Sequence, residues 1–81
     1  MGINAIDEEH GLTDNDWDVV QVKRAMVESS SRVVALTIAE KINTYHRIQI
    51  CGLQELDVLI SEREPDDPLL AAYRKHGLTL L

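Results

Sequence analysis

Lys41 is the residue best placed to do chemistry in this chain. It follows the short apolar run Arg32-Val-Val-Ala-Leu-Thr37, which is β-branched at its start and reads as a strand covered on both faces. Ligands of open α/β sheets bind beyond the carboxyl ends of such strands, where loops and helix N-termini converge. An ammonium there supplies a point charge for a phosphate; the competing reading is a solvated surface lysine. A second group, Asn4, Asp7, Gly11 and Thr13, lies near the N-terminus. By residue type these are turn formers, and Thr13 either contacts a ligand or starts the next helix. His10, His46 and His76 are scattered, and Cys51 sits in an apolar strand-like run, so no spacing suggests a metal site. Cys51 reads as a buried structural thiol. No Gly-rich loop of the nucleotide or dinucleotide type occurs.

The elements that must hold these side chains follow from periodicity. Residues 2–13 read as a loop, in which only Ile3, Ile6 and Leu12 interrupt the turn formers. Asp14 or Asp16 then caps an amphipathic helix from Trp17 to Ser29, with Val19, Val20, Val22, Met26 and Val27 at three-to-four-residue spacing. After the 32–37 strand come a polar stretch, an extended segment at 47–51, a turn at 52–56 and a clear strand at 57–61. The charged run Glu62 to Pro68 holds both prolines and reads as solvated loop. Pro68 opens a helix through His76, Gly77 caps it, and 79–81 has strand character. The order predicts an α/β chain with mainly parallel strands. Two good helices leave faces and edges of such a sheet uncovered, so the chain reads as part of a larger domain.

Composition narrows the function. Hydrophobic residues make up 44 % of the 81 and charged residues 27 %, which is ordinary globular usage, and the absence of phenylalanine makes the core aliphatic. With 14 acidic side chains against 8 basic, the net charge of −6 opposes a phosphate backbone, and the tightest basic cluster is only Lys23-Arg24. Any DNA contact is expected elsewhere. One cysteine, no charged-then-apolar leader and no membrane-length apolar run suggest a cytoplasmic chain without membrane contact.

The succession Gly2-Ile-Asn-Ala-Ile-Asp7, Gly11-Leu-Thr13 and Val22-Lys-Arg-Ala-Met26 resembles the C-terminal sensor domain of DeoR-type transcriptional repressors. There a G-x-N-G-I-D loop precedes G-L-T-T and a helix carrying V-K-R-A-M. The likeness continues through Arg32-Val-Val-Ala-Leu36, Lys41, Ile50-Cys51, Leu53, Asp57 and Leu59-Ile60, without a gap to Ile60, and on to Leu70 and Gly77. Each motif is weak alone; their order and spacing are specific.

The resemblance implies the three-layer α/β/α fold of ribose-5-phosphate isomerase and the CoA transferases, and a phosphorylated sugar as effector. It also implies that DNA is met through an N-terminal winged helix-turn-helix outside these 81 residues, while the uncovered sheet itself leads to the expectation of a homo-oligomer. Lys41 falls on the lysine of the family's D-S-S-K motif, while Ile38, Ala39 and Glu40 stand where the family has aspartate and serines. Asn4, Asp7, Gly11 and Thr13 fall in the loop that carries acidic catalytic groups in the isomerases. Asn4 replaces an acid there, and Lys23 falls near the place of the catalytic glutamate. An amide hydrogen-bonds a hydroxyl but is no general base, so the expectation is a sugar-binding cradle without catalysis and without a cofactor. A small isomerase and a purely structural oligomerisation module are the alternatives.

Overall fold

The computed structural model describes residues 1–81 as two three-stranded sheets and two helices. Strands β1 (Ala5–Asp7) and β2 (Gly11–Asp14) form an antiparallel hairpin, and β4 (Ile48–Cys51) pairs antiparallel with the far side of β2. The second sheet is parallel, in the order β3 (Val34–Leu36), β5 (Val58–Ile60), β6 (Thr79–Leu80). Residues Met1 to Ile3 extend it, because Gly2 bridges Leu36 in parallel and the Ile3 N–H donates to the Leu36 carbonyl at 3.0 Å.

Two expectations are corrected here. Residues 2–13 are mostly not loop. Their turn formers sit around a tight hairpin, while Ala5, Ile6 and Leu12 are wholly buried in the pairing. The strands are also mixed in direction rather than mainly parallel, because the 47–51 segment joins the hairpin and leaves the parallel sheet to 34–36, 58–60 and 79–80. The chain is thus α/β with one antiparallel and one parallel layer of strands.

Helix α1 (Trp17–Ser29) forms where periodicity places it. The Asp16 carboxylate caps it, accepting from the Asp18 and Val19 N–H groups at 3.0 and 3.2 Å. The Ser29 and Ser30 hydroxyls donate back to carbonyls of the last turn, where the helix ends. Arg24 fastens it to β4 by donating from Nε and Nη2 to the Gln49 carbonyl, at 3.0 and 2.6 Å. Of its apolar positions only Val20 is buried, whereas Val22 is 63 % and Met26 45 % exposed. Near the C-terminus, Pro68–Leu70 make a 3-10 turn capped by Asp67, and α2 (Ala71–Lys75) continues to Gly77, whose φ of 80° breaks it.

Between the layers lies one aliphatic core that includes Ile6, Leu12, Val20, Ile50, Leu59, Leu70 and Tyr73. No helix is long and apolar enough to cross a membrane.

Candidate functional site

A hollow of about 460 Å³ opens beyond the carboxyl ends of the Met1–Ile3 segment and β3. Gly2, Ile3 and Asn4 line it from one chain segment, and Leu36, Thr37, Ile38 and Lys41 from the other. Two parallel neighbours end side by side there, and the segments that follow them meet again in parallel at Ile6 and Ile42. This is where a parallel sheet offers a ligand its loops.

Lys41 and Asn4 therefore share one cavity. Lys41 closes a short 3-10 turn, Ala39–Lys41, and is half-buried. None of the three ion pairs in the protein involves it. The neighbouring Glu40 does not line the hollow; it lines a separate depression with Ala39, Glu62 and Arg63. There the Glu62 carboxylate accepts the Ala39 N–H. Ile38 does line the hollow, so its wall is apolar where the family's motif is polar.

Asn4 donates from Nδ2 to Oδ2 of Asp14 at 2.8 Å. Asp14 is only 4 % exposed, and its Oδ1 accepts the Asn15 and Asp16 N–H groups at 2.7 and 3.1 Å. Burial pushes the Asp14 carboxyl up. The hydrogen bonds from Asp16, Asn4 and Asn15, with the charge of Lys23, outweigh it and hold the group below its ordinary value. Of the two candidate caps, Asp16 takes that role, and Asp14 instead holds the turn that precedes the helix. Its tie to Asn4 comes from hairpin register: Ala5 faces Thr13, so the next pair outward brings Asn4 to Asp14. The signal was present as two polar residues flanking a tight turn.

The other three residues of the N-terminal group lie elsewhere. Asp7 is turned to the hairpin end, where Oδ1 accepts the His10 N–H at 2.7 Å and Oδ2 meets His10 Nδ1 at 2.8 Å. Gly11 has φ of 73°, and a Cβ there would lie 2.2 Å from the Cys51 carbonyl oxygen. Thr13 is buried, and its hydroxyl accepts the His46 N–H at 2.8 Å. The structure brings Lys41 and Asn4 together and sets Asp7, Gly11 and Thr13 into the hairpin behind them.

Lys23, the residue nearest the isomerases' glutamate, donates its ammonium to the Gly2 carbonyl at 2.6 Å. No carboxylate lines the hollow. The Cys51 thiol is pushed up to about 11 by burial and by Glu55, so it stays protonated at neutral pH. No group of three His, Cys, Asp or Glu side chains gathers to hold a metal ion. The arrangement offers one cation and one amide across an apolar wall: a binding geometry with no acid–base pair.

The α/β chain thus presents Lys41 and Asn4 on one hollow at the carboxyl edge of parallel strands. The chain belongs to the DeoR C-terminal sensor domain family, whose model matches residues 1–63. It is similar to the HTH-type transcriptional regulator GlpR of Haloferax volcanii, at 30 % identity over all 81 residues and 32 % of that protein's length. It is 32 % identical over 73 residues to the HTH-type transcriptional repressor GlcR of Bacillus subtilis, spanning 90 % of the chain and 28 % of the relative. The Glycerol-3-phosphate regulon repressor of Haemophilus influenzae is 32 % identical over 66 residues, 82 % of this chain and 26 % of its own length. The chain thus spans a third or less of the relatives it matches.

Proposed function

We propose that the chain is the effector-binding portion of a DeoR-type transcriptional repressor, and that the effector is a phosphorylated sugar or polyol held between Lys41 and Asn4. One observation carries this reading: Lys41, partly buried and without a carboxylate partner, lines a hollow that it shares with Asn4. An unpaired cation there offers an incoming phosphate a charge-assisted contact. The name of the Haemophilus influenzae relative refers to a phosphorylated polyol, which has the same chemistry. Asp7, Gly11 and Thr13 serve the site by shaping the hairpin that carries Asn4.

In the complete repressor the parallel sheet forms part of a three-layer α/β/α sensor of the isomerase and CoA-transferase kind. DNA is contacted by a winged helix-turn-helix outside these residues. Binding shifts an equilibrium between two states of the whole protein and so alters its affinity for DNA. Self-association is a second component, favoured by the exposure of Trp17, Val22 and Met26 along the outer face of α1. An isomerase is disfavoured because Lys23 is engaged by Gly2 and no carboxylate reaches the hollow.

The test is a thermal melt against three- to six-carbon sugar and polyol phosphates. At least one should raise the melting temperature, and Lys41→Ala should abolish the rise. Unchanged melting across the panel overturns the reading.

A further inference from the structure

Asp14 is a buried carboxylate with no contact to the hollow, yet it decides what Asn4 can offer there. Its two oxygens are divided in use: Oδ1 accepts the Asn15 and Asp16 N–H groups, and Oδ2 accepts Asn4 Nδ2. An ionised carboxylate accepts hydrogen bonds and donates none. The Asn4 amide therefore has a single orientation, with its NH2 half toward Asp14. Its Oδ1 half takes no protein donor, on a residue that lines the hollow.

We propose that Asp14 is a positioning residue that locks Asn4 as a hydrogen-bond acceptor, so that the effector must present a free hydroxyl to Asn4 Oδ1 while its phosphate meets Lys41. This rests on the effector reading given above and narrows it: the ligand class is a phosphate ester with an unsubstituted hydroxyl. A compound carrying only ether oxygens faces Asn4 Oδ1 acceptor to acceptor and leaves both unpaired. Sites built around such a polar group reject ligands that lack its partner far more strongly than apolar pockets reject a change in size.

Asp14→Asn separates positioning from folding. The new side chain keeps an oxygen for the Asn15 and Asp16 N–H groups and turns an NH2 toward Asn4. Asn4 then answers with Oδ1, and its own NH2 faces the hollow. An NH2 donates equally well to hydroxyl and ether oxygens.

The probes are sorbitol 6-phosphate, with a hydroxyl on each carbon that lacks the phosphate, and its per-O-methyl ether, titrated calorimetrically into the 81-residue chain. The wild-type protein should prefer the free polyol by roughly ten- to a hundredfold. In Asp14→Asn the preference should shrink to about threefold or less, because the ether gains a donor. Asn4→Ala, an exposed position, should erase the preference, and it decides the matter should Asp14→Asn fail to fold. Equal binding of both probes by the wild type, or an undiminished preference in either variant, overturns the proposal and leaves the phosphate site standing. Binding of neither probe nor inorganic phosphate overturns the site reading, and this proposal with it.

Discussion

Tyr73, wholly buried in α2, donates its hydroxyl to Oδ1 of Asn43 at 2.7 Å, and Asn43 is the one non-glycine residue with a left-handed backbone, at φ of 64°. The pair ties the C-terminal helix to the loop that leaves Lys41, and the hydroxyl also lies 3.3 Å from the Ile6 carbonyl. Burial pushes the Tyr73 phenol up to about 12, so it remains a donor across the physiological range. Removing it deletes one bond to the exposed Asn43 side chain and a second donor to the Ile6 carbonyl, which keeps the Thr44 N–H. Tyr73→Phe should cost about 0.5–1.5 kcal/mol in a urea unfolding titration, with the slope unchanged. A loss below a few tenths would mean that the bond contributes nothing to the fold.

Gly11 opens β2 beneath the Cys51 carbonyl, with a positive φ and only 2.2 Å between an added Cβ and that oxygen. The obstacle is backbone, which cannot step aside as a flexible side chain does. Left-handed strain and displacement of β4 act together, so Gly11→Ala should destabilise by roughly 2–6 kcal/mol. In a chain of this size that approaches the whole margin. The check is the far-UV circular dichroism melt, and a midpoint within 2 °C of the wild type, where about 1 kcal/mol already shifts it several degrees, would contradict the argument.

His10 reports on the hairpin end through pH. Its ring stacks on Tyr45 with centroids 4.3 Å apart. The hydrogen bond that its ring donates to the Asp7 carboxylate raises its pKa above the usual 6.5; its slight desolvation opposes this, and the charges of Asp7 and Glu9 add to it. A raised folded value means that the stabilisation is complete below about 6.5 and fades as pH climbs through that raised value. Because the ring is at the surface, the effect should be modest and weakened by salt. NMR titration should give a midpoint for His10 above 6.5. The melting difference between wild type and His10→Gln should narrow from pH 6 to pH 8; a difference that widens would reverse the assigned sign.

What sequence makes legible here follows the range over which each element is specified. Helix α1 is written locally, in the Asp16 cap and the recurrence of valines, and it spans Trp17–Ser29 as read. The 34–36 and 58–60 strands are likewise visible as apolar runs between polar stretches. The hairpin is not. Asn4, Asp7 and Gly11 are poor strand formers, and three or four residues of β1 and β2 give periodicity too little length. Those strands exist because Ile6 and Leu12 are buried by segments dozens of residues away. Strand direction is hidden for the same reason: nothing within Ile48–Cys51 states that its partner is β2. Motif comparison reaches Lys41 and Asn4 directly, but it misses Asp14, whose tie to Asn4 exists only once the hairpin register does.

Lys41 yields the prediction that best separates a binding role from a structural one. A lysine that holds a fold together is missed when removed. One held ready for a ligand contributes no ion pair without it, and Lys41 takes part in none. Lys41→Met keeps an aliphatic stem and deletes the charge. Without ligand, the variant should melt at the wild-type temperature or slightly above it, as groups retained for function at some cost in stability do when replaced. With a phosphorylated polyol present, the wild type should gain stability by mass action, whereas the variant should gain little, its affinity falling roughly ten- to a hundredfold with the loss of one charge-assisted contact. Paired melts with and without ligand read both effects. A ligand-free variant that melts well below the wild type would make Lys41 a strut of the fold, and the hollow would lose its anion anchor.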